Sequence, residues 1–116
     1  MGALTTHVLD TAHGRPAANV KVSLFRIGNA RELLKIDQTN TDGRLEAPIL
    51  DADDYSPGVY ELLFEAGDYF RSCGLELSEP PFVDQVVIRF GIGETDSHYH
   101  VPLLVSPWSY STYRGS

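Results

Sequence analysis

The residues of this chain that could do chemistry include its histidines. His98 and His100 form a His-Tyr-His sequence, and on a β-strand their imidazoles would leave the same face roughly 6.5–7 Å apart. Two such imidazoles can share a metal ion or bracket a substrate, although a merely polar strand face would have the same sequence. A zinc site would need His7 as a third ligand and an open fourth position for water. His13 lies among glycine and proline, where we expect a solvated turn residue without a role.

Arg44 is a second candidate, because a predicted turn fixes its position. The preceding residues Thr41–Gly43 contain Asp-Gly, which is favoured where two successive residues need positive φ. We therefore expect Arg44 at the start of a strand. There its planar guanidinium could hold an anionic planar ligand through two hydrogen bonds, although a solvated surface arginine is the alternative.

Other possible nucleophiles receive less support from the sequence. It contains neither a Gly-x-Ser-x-Gly elbow nor a glycine-rich phosphate loop. Cys73 is the only cysteine and falls in a predicted helix with apolar neighbours, where a packed thiol is expected. A covalent serine or cysteine mechanism is therefore not predicted. Strand composition continues over 110–113, so we expect the residues up to Ser116 to be ordered.

Strands must position these candidates, because apolar and polar residues alternate with period two along most of the sequence. A short helix is predicted over 67–74, which ends in glycine, whereas propensity leaves both helix and strand open for 30–36. The sequence thus predicts one domain over 1–116, an all-β, two-sheet β-sandwich of seven to eight strands with one short helix. The clearest predicted strands cover 4–10, 20–24, 59–65, 82–92, 99–105 and 110–113.

Composition and charge argue against several classes of partner. Nine Lys and Arg against sixteen Asp and Glu give a net charge of −7, which opposes binding to a phosphate backbone. The longest apolar run is 101–105, and no basic-then-apolar leader precedes Leu4, so we expect neither a membrane span nor a secretory signal. One cysteine allows no disulfide within the chain. We therefore expect a cytoplasmic protein that binds neither nucleic acid nor membrane.

Five segments of the chain carry a resemblance to a known family. They are LTTHVLD at 4–10, GRPA at 14–17, TDGR at 41–44, HYHVPLLVSP at 98–107 and YSTYRGS at 110–116. Together they resemble the 5-hydroxyisourate hydrolases, the transthyretin-related enzymes of purine breakdown. The ending Tyr-Arg-Gly-Ser is the most specific motif, because it separates these enzymes from transthyretin, the hormone carrier with the same sandwich. The resemblance spans the whole chain and implies a homotetramer with paired active sites between dimers.

The resemblance also implies a reaction and a set of site residues. The reaction is hydrolysis of 5-hydroxyisourate, a planar oxidised purine, whose cyclic amide opens to 2-oxo-4-hydroxy-4-carboxy-5-ureidoimidazoline without a cofactor or a metal. The implied catalytic residues are His7, Arg44, His100 and Ser116. The implied substrate-binding residues are His7, Arg44 and Tyr113.

Each implied residue has an expected role. Either His7 or His100 is the base that deprotonates water, while Arg44 holds the ring oxygens. Tyr113 binds the ring, and the Ser116 hydroxyl or the terminal carboxylate orients a histidine or the water. A transthyretin-like carrier or binding module without catalysis is one alternative. A zinc hydrolase that uses three histidines is the other, and a metal assay separates it from the cofactor-free enzyme.

Overall fold

The computed structural model describes residues 2–115, which form a sandwich of two four-stranded sheets. The first sheet contains, in spatial order, β2 (Arg15–Pro16), β1 (Leu4–Asp10), β7 (Tyr99–Val105) and β8 (Tyr110–Thr112). The second contains β4 (Arg31–Gln38), β3 (Lys21–Ile27), β5 (Gly58–Glu65) and β6 (Gln85–Ile92). The helix α1 (Ala66–Ser72) follows β5, and a single 3₁₀ turn covers Ala52–Asp54. The predicted fold class, an all-β sandwich with one short helix, is confirmed.

The core lies between the two sheets and is filled by the inward side chains of their strands. Burying each large apolar side chain contributes about 1.5–3 kcal/mol relative to leaving it exposed. The helix α1 adds Phe70 to this core, and no helix within residues 2–115 is long and apolar enough to cross a membrane. The largest fully buried side chains include Tyr60, Phe64, Phe70, Leu4, Leu24, Leu62 and Leu103.

Strand β1 shows the predicted alternation. Its buried residues alternate with half-buried ones from Leu4 to Asp10, which places Thr5 and His7 on the face that points away from the core. β1 pairs in parallel with β7, so that Thr5 lies opposite His100 and His7 lies opposite Pro102. This register brings the first histidine motif and the His-Tyr-His motif onto one surface.

Several local predictions need correction. The segment 30–36, for which propensity left both helix and strand open, belongs to a strand, β4, which pairs along its length with β3. Arg44 does not begin a strand, since it forms only an isolated antiparallel bridge with His7. Gly43 alone in this turn has a positive φ, of 76°, so the expected pair of such residues is wrong. His98 lies one residue before β7 rather than on it.

Candidate active site

An open depression of about 410 Å³ lies where β1 and β7 begin, on the outer face of the first sheet. Its lining residues are Thr5, Arg44, His98 and His100. Thr5 and Arg44 also line an adjoining depression of about 180 Å³ over 45–48. Two of the predicted catalytic residues, Arg44 and His100, therefore meet at one surface of a single chain.

His100 is held by a partner that the sequence analysis did not identify. The Thr5 hydroxyl oxygen lies 2.8 Å from His100 Nδ1, because the parallel register places these residues opposite each other. A ring nitrogen that is engaged in this way fixes the orientation of the imidazole, and the second nitrogen, Nε2, is left for a substrate or water. No local pattern in the sequence marks Thr5, since the two residues are 95 positions apart.

The surroundings of His100 favour its neutral form. Its half-burial lowers the pKa of the imidazole, and the positive charge of Arg44 and the nearby His7 lower it further, while hydrogen bonding to Thr5 acts in the opposite direction. The net effect is a pKa below that of an ordinary histidine. At neutral pH this side chain is therefore able to accept a proton.

The turn before Arg44 is closed by Asn40. The Asn40 side-chain oxygen accepts hydrogen bonds from the backbone amides of Asp42 (2.9 Å) and Arg44 (3.2 Å). The Gly43 carbonyl accepts a hydrogen bond from the Val8 amide at 2.8 Å, which fixes the turn to β1. A side chain on Gly43 would collide with the Val8 carbonyl oxygen. An asparagine two residues before Asp-Gly is a recognisable turn signal, and it went unused in the sequence analysis.

His7 lies next to Arg44 through the isolated bridge between their backbones. Its Nε2 is 2.8 Å from the Asp42 carbonyl oxygen. A carbonyl oxygen only accepts hydrogen bonds, so Nε2 carries the proton and donates it. In the neutral ring the lone pair of Nδ1 is then available for a ligand.

The C-terminal segment reaches His100 from the other side of β7. The Arg114 guanidinium lies 4.0 Å from the centre of the Tyr99 ring and donates a hydrogen bond to the His98 carbonyl oxygen at 3.3 Å. The Gly115 amide donates to the His100 carbonyl oxygen at 2.7 Å. A Cβ on Gly115 would lie 2.6 Å from His100 Cδ2, so only glycine fits against this ring.

The structure does not bring every predicted residue to the depression. Tyr113 is 60% exposed and lines a separate, mainly apolar depression of about 220 Å³ that includes Tyr99 and Val101. Ser116 lies outside the described residues.

The three histidines of the zinc alternative do not converge. Among residues 2–115, the donor atoms of His7, His98 and His100 do not form a group in which all lie within 4.8 Å of one another. A tetrahedral zinc ion with ligand distances of about 2.0–2.1 Å needs closer donors than this. The arrangement thus fits a general base beside a cationic clamp better than a three-histidine metal centre.

Comparisons with known proteins identify the family of this chain. The model of the HIUase/Transthyretin family matches residues 4–115. The chain is 59% identical over its full length to a protein of Pseudomonas aeruginosa named 5-hydroxyisourate hydrolase, of which it covers 93%. It superimposes on a solved (S)-allantoin synthase with a TM-score of 0.94 and 50% identity. The superposition includes 99% of this chain but only 44% of that longer chain. Sea bream transthyretin in complex with thyroxine, at 24% identity, has the same fold with a TM-score of 0.87. The superposition covers 97% of this chain and 94% of that one. The chain belongs to the HIUase/Transthyretin family.

Proposed function

We propose that this chain hydrolyses 5-hydroxyisourate to 2-oxo-4-hydroxy-4-carboxy-5-ureidoimidazoline. The observation that carries the proposal is the meeting of a neutral His100 and a cationic Arg44 at one open depression. The 59% identity to a protein named 5-hydroxyisourate hydrolase supplies the substrate. No cofactor is needed for this chemistry, because a base and an oxyanion donor suffice to add water to an activated cyclic amide.

His100 is the base in this proposal. Its Nδ1 is engaged by Thr5, so Nε2 takes a proton from the water that attacks the ring carbonyl. The depressed pKa of His100 keeps the ring in the form that accepts this proton. Addition of water makes the carbonyl carbon tetrahedral. When this intermediate collapses, the carbonyl re-forms, the ring C–N bond breaks and the imidazolium gives its proton to the departing nitrogen.

Arg44 and His7 are the binding groups that face the substrate. The Arg44 side chain is exposed and forms no ion pair within residues 2–115. Its five donors can therefore turn to the ring oxygens, and its charge stabilises the developing oxyanion. His7 keeps Nδ1 available for the ring while Nε2 donates to Asp42.

A homotetramer would explain the position of Tyr113. Its exposed ring lies outside the depression of its own chain, but in an assembly it can contact substrate held by a neighbouring copy. The strands β6 and β8 are sheet edges, which need pairing or protection. Sedimentation is expected to show a species of about four times the 12.8 kDa chain mass. A fully active monomer would contradict a site that is shared between copies.

Ser116 completes the proposed catalytic set. Gly115 donates a hydrogen bond to the His100 backbone, and the proposed role of Ser116 is to orient the base or the water through its hydroxyl. Deletion of 113–116 is expected to lower activity while the sandwich still unfolds cooperatively in urea.

An absorbance assay tests the central proposal. The purified protein, with chelator present and no metal added, is expected to accelerate the loss of 5-hydroxyisourate beyond its spontaneous decay. The carrier alternative predicts binding without any such acceleration. The zinc hydrolase alternative predicts that the chelator abolishes activity and that zinc restores it.

The remaining proposals concern the cellular location of the protein and its binding partners. We propose a cytoplasmic location, because the single cysteine leaves the fold without need of an oxidising compartment. We also propose that nucleic acid and membranes are not partners, given the net charge of −7. Cell fractionation tests the first proposal, and salt-dependent binding assays with DNA and anionic vesicles test the second.

A further inference from the structure

A second cluster of reactive side chains lies at the far end of β1, away from the proposed active site. Asp10 is the last residue of β1, and its side chain is fully buried. Its Oδ1 accepts hydrogen bonds from the backbone amides of Ala12 (2.9 Å) and His13 (3.0 Å). These bonds hold the carboxylate in one orientation and aim Oδ2 at the helix α1.

Two further groups meet at this second oxygen. His13 Nδ1 lies 2.6 Å from Asp10 Oδ2, and the Tyr69 hydroxyl donates to the same oxygen at 2.7 Å. His13 lies in an exposed turn as expected, but its side chain is only 29% exposed and its ring stacks on Phe70. The imidazole is held beside the carboxylate by the fold.

Cys73 brings sulfur to the same place. It follows the last residue of α1 and is half-buried, which corrects its expected place within the helix. One donor atom each from Asp10, His13 and Cys73 lies within 4.8 Å of the others, and within residues 2–115 this is the one group of three or more such donors. An open depression of about 370 Å³ adjoins Cys73, Tyr69 and Arg15, so solvent and small ions can reach the sulfur.

We propose that Asp10, His13 and Cys73 bind a zinc ion. A thiolate, an imidazole nitrogen and a carboxylate oxygen form a donor set that zinc accepts in tetrahedral geometry, with water from the depression as the fourth ligand. On binding, the thiol releases its proton to solvent, and the neutral His13 ring keeps its proton on the nitrogen that does not bind the metal. The hydrogen bond between His13 and Asp10 is replaced by a bond from each to the metal. No oxidant or reductant takes part. The ion would join the segment after β1 to the end of α1.

Arg15 provides an internal test of this assignment. Its Nη2 lies 3.9 Å from the Cys73 sulfur, and this positive charge opposes a cation at the same place. The Arg15 side chain is exposed, so it can turn into solvent when zinc binds, at some cost in affinity. Replacing it with an uncharged residue is therefore expected to tighten zinc binding several-fold, which a purely structural role for the cluster would not predict.

Calorimetric titration with zinc, after chelator treatment of the full chain, tests the proposal. The wild type is expected to bind about one ion per chain, with proton release that depends on the buffer. Cys73→Ser and His13→Ala should each weaken binding about ten-fold or more, and Arg15→Gln should strengthen it. Cobalt(II) in place of zinc is expected to give a thiolate charge-transfer band in the wild type that is lost in Cys73→Ser.

His98→Ala is the control, because His98 lies at the other depression. Unchanged zinc affinity in this variant supports the site at Asp10. The proposal is overturned if the wild type binds no zinc, if Cys73→Ser binds it as tightly as the wild type, or if only His98→Ala loses binding. None of these readouts depends on hydrolysis of 5-hydroxyisourate, so they stand apart from the proposed function.

Discussion

Asp10 and Thr5 lie near opposite ends of β1, about 17 Å apart at about 3.4 Å per residue. Both carry polar side chains, yet their surroundings differ. Asp10 is fully buried, and its two oxygens accept four hydrogen bonds from the chain. Thr5 and its partner His100 are half-buried beside an exposed Arg44. Without a metal, the Asp10 end of β1 makes its hydrogen bonds within the chain, and we call it the filled end. The Thr5 end leaves the donors of Arg44 exposed to a ligand, and we call it the open end.

This difference separates stability from activity along a single strand. Burial alone would raise the pKa of Asp10, but the hydrogen bonds from Tyr69 and His13 outweigh it and hold the pKa below its ordinary value. Asp10 therefore stabilises the fold above its unfolded-state pKa, and this contribution is lost as the pH falls through the lower folded-state pKa. At the other end, the surroundings of His100 destabilise its charged form, which serves proton transfer rather than folding.

The largest expected effect is on catalysis, from changes at the open end. His100→Ala removes the base and is expected to lower kcat/KM about 10²-fold or more. His7→Ala and Arg44→Ala should have effects of similar size. Urea unfolding should show a change in the free energy of unfolding of less than about 1 kcal/mol for His100→Ala, because only a partly exposed hydrogen bond is lost. Wild-type kcat/KM in all three variants would remove these residues from the site.

Gly115→Ala tests the open end of β1 by displacing the His100 ring without removing a reactive group. The new Cβ would collide with the His100 ring, and a displacement of about 1 Å at a catalytic group costs up to about 10²-fold in rate. We expect kcat/KM to fall about ten-fold or more, with unchanged stability. Gly28→Ala is the matched control, because a Cβ there meets nothing within 4 Å. Equal activity in the two variants would show that the C-terminal segment does not position His100.

A pair of tyrosine variants tests the filled end against the open end. Tyr69→Phe removes a hydrogen bond to a buried carboxylate and is expected to lower the free energy of unfolding by about 1.5–3 kcal/mol, with kcat/KM unchanged. Tyr113→Phe should do the reverse, with roughly a five- to thirty-fold loss in kcat/KM and no change in unfolding. If Tyr69→Phe instead lowered activity at full stability, the separation of the two ends would be wrong.

The smallest expected effect is a change in the titration of His100. Arg44→Gln removes a charge that lowers the pKa of this imidazole, so NMR titration should show a higher pKa in the variant than in the wild type. The acidic limb of kcat/KM, which reports the base in the free enzyme, should move to higher pH in the same direction. Lys35→Gln provides a charge-matched control, since the charges that lower the pKa of His100 are those of Arg44 and His7 and not that of Lys35.

Local patterns in the sequence were enough for most strands, because alternation and turn residues depend on near neighbours, but they left β4 undecided and put Arg44 and His98 on strands. Alternation along β1 puts His7 on its outer face. Thr5 could not have been assigned to His100, since that contact depends on a parallel register between strands at opposite ends of the sequence. The same limit applies to the cluster of Asp10, His13 and Cys73, whose members come from two separate elements. The resemblance to a family supplied the roles but not these contacts.

The parallel pairing of β1 with β7 also determines when the active site can form during synthesis. Thr5 must wait for His100, which is made 95 residues later, and β1 has its full partner only after Val105 has emerged. Folding that depends on such distant pairings is slow, and domains emerge from the ribosome at about 5–20 residues per second. The three donor residues Asp10, His13 and Cys73 are all made by position 73, although Asp10 also pairs with Val105. A nascent chain therefore carries all three side chains of this cluster before it carries His100, but β7 must emerge before either end of β1 is fixed in place.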